Sequence, residues 1–188
     1  MRICFIAATL AAAATGVAAE PATFVIDPGH TIVTFEALHF NTSTQRGRIQ
    51  GKEGTVVVDR AAKTGKADIT LDMTSLSTAS QALEGTLKGE RMFNVAQNPT
   101  AHFVGDNFGF DGDKLASVSG TLTIVGKSQP ATLKALRFNC YENAQLKRET
   151  CGGDFETTIQ RSLYGLGFAS GVTPDNIRLL IQVEGIRQ

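Results

Sequence analysis

Residues 30–40, HTIVTFEALHF, constrain the fold more than any other stretch of this chain. Read with a period of two, Thr31, Val33, Phe35, Ala37 and His39 share one side, and Ile32, Thr34, Glu36, Leu38 and Phe40 the other. The run is rich in β-branched and aromatic side chains, holds neither Pro nor Gly, and at eleven residues is long for a strand. Apolar groups occur on both sides, and Glu36 is the single charge. A strand of this kind suits the wall of a closed or nearly closed barrel, one side on an interior and the other under a helix or loop.

The remaining stretches extend that expectation. Residues 24–27 begin a strand that stops at the turn dipeptide Pro28-Gly29. Residues 41–50 are polar, with Gly47 and Gly51 bracketing Arg48, Ile49 and Gln50 like a second strand begun by a tight corner. Residues 55–59 (TVVVD) read as a strand and 60–66 as a turn. In 67–74, Ala67, Ile69, Leu71 and Met73 alternate with Asp68, Thr70, Asp72 and Thr74, the mark of a half-buried strand. Residues 100–104, 108–110, 115–125, 131–139, 154–160 and 176–185 are further strands, punctuated by Gly105, Gly112, Gly126, Gly171 and Pro174.

Residues 75–96 break the β pattern. Ser77 or Thr78 caps a helical segment over about 78–95, with Ala79, Leu83 and Leu87 at helical spacing. Gly85 and Gly89 each weaken it by roughly 1 kcal/mol relative to Ala, so it is short or broken. Many closely spaced strands, one helical interruption and no βαβ alternation predict an all-β fold, an antiparallel barrel of meander type.

Residues 1–19 read as a signal peptide: Arg2, an Ala-rich apolar run, then the small residues Val17, Ala18 and Ala19. The run is short of the roughly 20 residues that a membrane span needs, so no stable membrane anchor is expected. Residues 20–188 then form a single domain. Without Arg2 the 18 basic residues fall to 17 against 18 acidic ones, a balance that argues against nucleic acid as a partner. Cys140 and Cys151 are the two cysteines left, and an even pair in an exported chain reads as a disulfide. The bridge ties off a polar surface excursion. A metal site is the weaker reading, since no histidine lies near either cysteine.

No motif of catalysis stands out. There is no G-x-S-x-G, and no GxxxxGK[ST] for phosphate. His30 and His39 fall on opposite strand faces, roughly 30 Å apart in a regular strand, which disfavours a shared metal. Together with His102 they read as hydrogen-bonded residues at barrel ends. Phenylalanine is the unusual component: ten lie beyond residue 19. Singly each is ordinary core; together they provide walls for an apolar ligand.

The order of several motifs resembles the YceI-like family. Residues 24–31 (FVIDPGHT) resemble its Y-x-I-D-P-x-H-S opening, followed by Val33-x-Phe35, Leu38-His39-Phe40, Gly47-Arg48-Ile49 and Gly51. TSLST at 74–78, LKGERMFNV at 87–95, Asn98-Pro99 with Phe103, and GTLTIVG at 120–126 come next in order. Residues 159–166 (IQRSLYGL) are similar to I-x-R-S-x-[FY]-G-[IL], and Val183-Glu184-Gly185 to the closing strand. Thr31 in place of Ser, Asn94 in place of an acid, and the Cys140–Cys151 excursion depart from the pattern.

The resemblance implies a lipocalin-like extended antiparallel β-barrel, a periplasmic location, and a tunnel for a long-chain lipid such as a polyisoprenoid or isoprenoid quinone. It implies no enzyme activity and no cofactor other than bound lipid; a homodimer fits it. Residues expected to line the tunnel are Phe35, Ala37, Ile69, Leu71 and Met73, with Phe103, and Leu87, Met92 and Phe93 from the helical segment. His39 is the candidate polar contact near one end. The competing functions are a stress-related interaction module with a packed barrel and an enzyme acting on an isoprenoid lipid.

Overall fold

The computed structural model describes residues 20–188; the expected signal peptide at 1–19 lies outside them. The strands are β1 (Ala22–Ile26), β2 (Ile32–His39), β3 (Ser43–Asp59), β4 (Thr64–Thr78), β5 (Thr100–Asp111), β6 (Lys114–Ile124), β7 (Lys127–Asn143), β8 (Arg148–Gln160) and β9 (Asn176–Arg187). One helix, α1 (Gln81–Lys88), lies between β4 and β5.

These strands close a barrel of eight staves. Pro28-Gly29 splits one stave in two: β1 and β2 both lie between β3 and β9, Val25 pairing with Thr55 and Ile186, Phe35 with Gly47 and Leu179. From β2 onward each strand is antiparallel to its predecessor, and β9 returns to β2. Closure leaves no free sheet edge, so every wall strand has hydrogen-bonding partners on both sides.

Several sequence expectations change. Residues 43–50 and 55–59 belong to one strand, β3, with 41–42 in the turn before it, and 100–104 and 108–110 to one strand, β5. Their glycines do not end strands; they make room. A Cβ on Gly47 would strike the Phe35 ring, and one on Gly105 would lie 2.6 Å from Val118 Cγ1. The helix covers 81–88 rather than 78–95, and Ser80, not Ser77 or Thr78, caps it by accepting from Leu83 N–H at 3.3 Å. Ser77 and Thr78 are still in β4, paired with Arg48 and Gly47. Residues 89–97 fold as turns, starting where Gly89 takes an extended backbone.

The outer side of 30–40 is also different. Among the described residues it carries an ion-pair cluster: Glu36 faces outward and is bound by Arg46 at 2.7 Å and by Arg178 at 3.2 Å. The cysteines do not close a loop excursion either. They are directly opposed in the β7–β8 ladder and joined by a disulfide, with only residues 144–147 turning at the tip.

The core follows the inner face of every stave. Phe24, Val33, Phe35, Ile49, Met73, Phe103, Leu122, Phe155 and Ile159 are buried there. At 72–76 β4 kinks: Asp72 Oδ1 accepts from Thr74 N–H and Oγ1, and Ser75 Oγ accepts from Gln50 N–H. The kink resets the alternation so that both Met73 and Leu76 point inward.

Candidate functional site

The barrel interior is not filled. It holds two apolar chambers, one of about 350 Å³ and one of about 300 Å³. Val33, Leu71, Leu122 and Leu179 line both, so the chambers adjoin at these four side chains, the waist between them. The first chamber runs toward the β3–β4, β5–β6 and β7–β8 turns, where Arg60, Asp113 and Phe138 line it. The second runs toward α1 and the segment between β8 and β9, where Leu87, Met92, Phe93, Phe168 and Val172 line it.

Every tunnel residue named from sequence lies on this wall. Phe35, Ala37, His39, Met73, Leu87, Met92 and Phe93 face the second chamber, Ile69 and Phe103 the first, and Leu71 both. Nine of the ten phenylalanines line one chamber or the other. Phe40 is the exception. It turns outward, 60% exposed, in a left-handed backbone conformation (φ 49°) at the β2–β3 corner. The alternation already set Phe40 on the side opposite Phe35, and it stands one residue beyond β2.

The histidines do not converge. His30 Nδ1 lies 2.7 Å from Asp27 Oδ2, and His102 Nε2 lies 2.6 Å from Asp68 Oδ1. The Asp27 hydrogen bond raises the His30 pKa, and the same bond lowers that of Asp27. His39 packs edge-on against Phe40 at the rim of the second chamber, ring centroids 4.7 Å apart.

Arg161 was not legible as a site residue. It begins a 3₁₀ turn (Arg161–Tyr164) after β8, where an arginine normally reads as surface. It is instead 5% exposed and lines the second chamber. Its Nε donates to Pro174 O at 3.2 Å, Nη1 to Phe168 O at 2.8 Å and to Leu166 O, and Nη2 to Thr173 O at 2.9 Å. All four acceptors are backbone carbonyls of the segment that closes this end. The carboxylate of Asp175, nearby in sequence, is turned to Ser162, accepting from its N–H and hydroxyl at 2.8 Å each.

At the other end Arg60 Nη2 donates to Glu149 Oε1 at 2.7 Å and lies 3.0 and 3.1 Å from the sulfurs of Cys140 and Cys151. Cys140, Glu149 and Cys151 converge as three metal ligands would, but the sulfurs are bonded to each other and the arginine holds the cationic place. Among the described residues, no helix is long and apolar enough to cross a membrane.

These features define a closed antiparallel barrel with two adjoining apolar chambers inside it. The YceI-like domain profile matches residues 24–185, and the chain belongs to the YceI-like family. A UPF0312 protein of Pseudomonas paraeruginosa is 29% identical over 189 residues, covering 96% of this chain and 98% of its own. Protein YceI of Escherichia coli O157:H7 is 26% identical, covering 85% of this chain and 83% of its own. Among solved structures, Burkholderia cenocepacia BcnA shares the fold with a TM-score of 0.66 and 21% identity over 85% of this chain and 98% of its own. A polyisoprenoid-binding domain from Saccharophagus degradans, implicated in plant cell wall breakdown, shares it with a TM-score of 0.57 and 11% identity, over 88% and 98%.

Proposed function

We propose that this protein is a periplasmic binding or carrier protein for a long-chain apolar lipid of the polyisoprenoid or isoprenoid quinone kind. The observation that carries the reading is the pair of apolar chambers, walled by nine phenylalanines and adjoining at Val33, Leu71, Leu122 and Leu179. Such a wall suits a chain rather than a compact molecule. Binding is by partition: each CH₂ withdrawn from water contributes about 0.8 kcal/mol, so a long tail supplies affinity with few polar contacts. Phe35, Ala37, Ile69, Leu71, Met73, Leu87, Met92, Phe93 and Phe103 would contact the tail, with His39 near one end. A disulfide and the family's binding-domain relative support export and lipid binding respectively.

The test is native mass spectrometry of the protein purified from its own host, then lipid stripping and rebinding. The expected result is a co-purifying lipid that the stripped wild type rebinds and the Leu71→Asp variant does not, the variant remaining folded by circular dichroism. A charge in a tunnel that a lipid or water fills costs little stability, whereas in a dry packed core it costs several kcal/mol. A variant that fails to fold, beside a stripped wild type that rebinds nothing, would favour the packed interaction module and end the carrier reading.

A further inference from the structure

We infer that Arg161 reads the head of the ligand, and that the head it takes is neutral and carries a carbonyl-type oxygen. The inference rests on the carrier reading and gives it a direction: head in the second chamber, tail through the waist into the first.

Arg161 is a buried cation with no carboxylate among its hydrogen-bond partners. A guanidinium has five N–H donors, and four are taken by the carbonyls of Leu166, Phe168, Thr173 and Pro174. One Nη2 hydrogen is left, on a side chain that lines a chamber otherwise almost wholly apolar. Four carbonyls hold the group in place, and the Asp175 carboxylate that faces its charge is hydrogen-bonded to Ser162 instead of to the guanidinium. An unused donor is costly in such surroundings, and an oxygen acceptor on the ligand satisfies it.

The chamber's composition selects among acceptors. A phosphate brings a double charge, and among the described residues Arg161 is the one Lys or Arg that lines this chamber, beside His39, Gln45, Thr86 and Thr173. A hydrocarbon end leaves that N–H unsatisfied. A single carbonyl oxygen matches one donor, and the rest of such a head is apolar enough for the surrounding wall. The opposite end offers less. Arg60 is already bound by Glu149, and its side chain is 52% exposed, so solvent screens it.

The experiment uses the lipid-stripped protein and one long saturated chain in three versions: ending in a methyl ketone, in a phosphate monoester, and unsubstituted. The ketone is expected to bind at least about tenfold more tightly than the alkane, as a hydrogen bond to a charged group implies, and more tightly than the phosphate. In Arg161→Gln the ketone-to-alkane ratio should fall to near one. An assignment independent of any variant comes from photo-crosslinking in the wild type. A diazirine beside the ketone should label residues 161–173 or the helix, and one at the tail end should label the wall around Phe108 and Phe110. Equal affinity for ketone and alkane, a preference for phosphate, or reversed labelling overturns the inference while leaving a carrier. Failure of all three probes to bind the wild type defeats the carrier reading itself.

Discussion

Asp27 and His30 show how single residues tie down the break between β1 and β2. Asp27 Oδ1 accepts from Gly29 N–H at 2.9 Å while Oδ2 meets His30 Nδ1 at 2.7 Å. The Asp27 pKa is lowered, so its share of stability is present above the unfolded value of 3.8 and is lost as pH falls through the folded one. The His30 pKa is raised, so its share is present below 6.5 and is lost as pH rises through the folded value. Both act together between about pH 4 and pH 6.5. The melting-temperature advantage of wild type over Asp27→Asn should therefore be greatest near pH 5 and shrink toward pH 8. An advantage that does not change with pH would show that the pair contributes nothing. Gly47 is a residue of the opposite kind, needed for what it lacks. A Cβ there would strike the Phe35 ring and lie 2.9 Å from Ser77 O. Gly47→Ala should cost about 1–3 kcal/mol by overpacking, read as a lower urea midpoint at unchanged slope.

Among the elements, the β7–β8 hairpin and α1 carry the clearest consequences. Cys140 and Cys151 are partners in the ladder, so the disulfide staples strands that already pair. The closed loop is short, and chain entropy assigns the bridge about 3 kcal/mol. Reduction should lower stability by about that amount in urea titration, and an unchanged midpoint under reductant would contradict it. The helix has eight residues and no fully buried side chain, so its cap matters. Ser80→Ala should cost about 1 kcal/mol of helix stability. Faster amide exchange over 83–88, with the barrel strands unchanged, is the expected signature. The two Ser/Thr residues favoured as caps from sequence lost to Ser80 because Ser77 and Thr78 are held by β3. No local pattern announces that pairing, which joins residues some thirty positions apart.

At the scale of the whole molecule, the tunnel exists because eight staves close with large side chains facing inward, and the sum still falls short of filling the lumen. The waist makes a prediction about length. Affinity should rise by about 0.8 kcal/mol per added CH₂ until the chain spans both chambers. Leu122→Trp narrows the waist, and the rise should then stop at the length of one chamber. Isothermal titration with a homologous series of ligands checks both. A Leu122→Trp variant that follows the wild-type curve would mean that the chain does not pass between the chambers.

The alternation in 30–40 and 67–74 sorted the side chains of β2 and β4 into two sides by itself, because a strand's side chains alternate whatever it pairs with, and in β4 the apolar set marked the inner one. The turn dipeptide Pro28-Gly29, the spacing of the later strands and the family's motifs in order likewise point to an all-β barrel. Three things were left to tertiary structure. Whether a polar stretch such as 43–50 joins a strand depends on the hydrogen bonds that neighbouring strands offer it. Whether Arg161 is wet or buried depends on carbonyls that a later segment folds back to supply. Whether the inward phenylalanines make a core or a tunnel depends on the lumen that closure creates, a property of eight strands together that no one of them encodes.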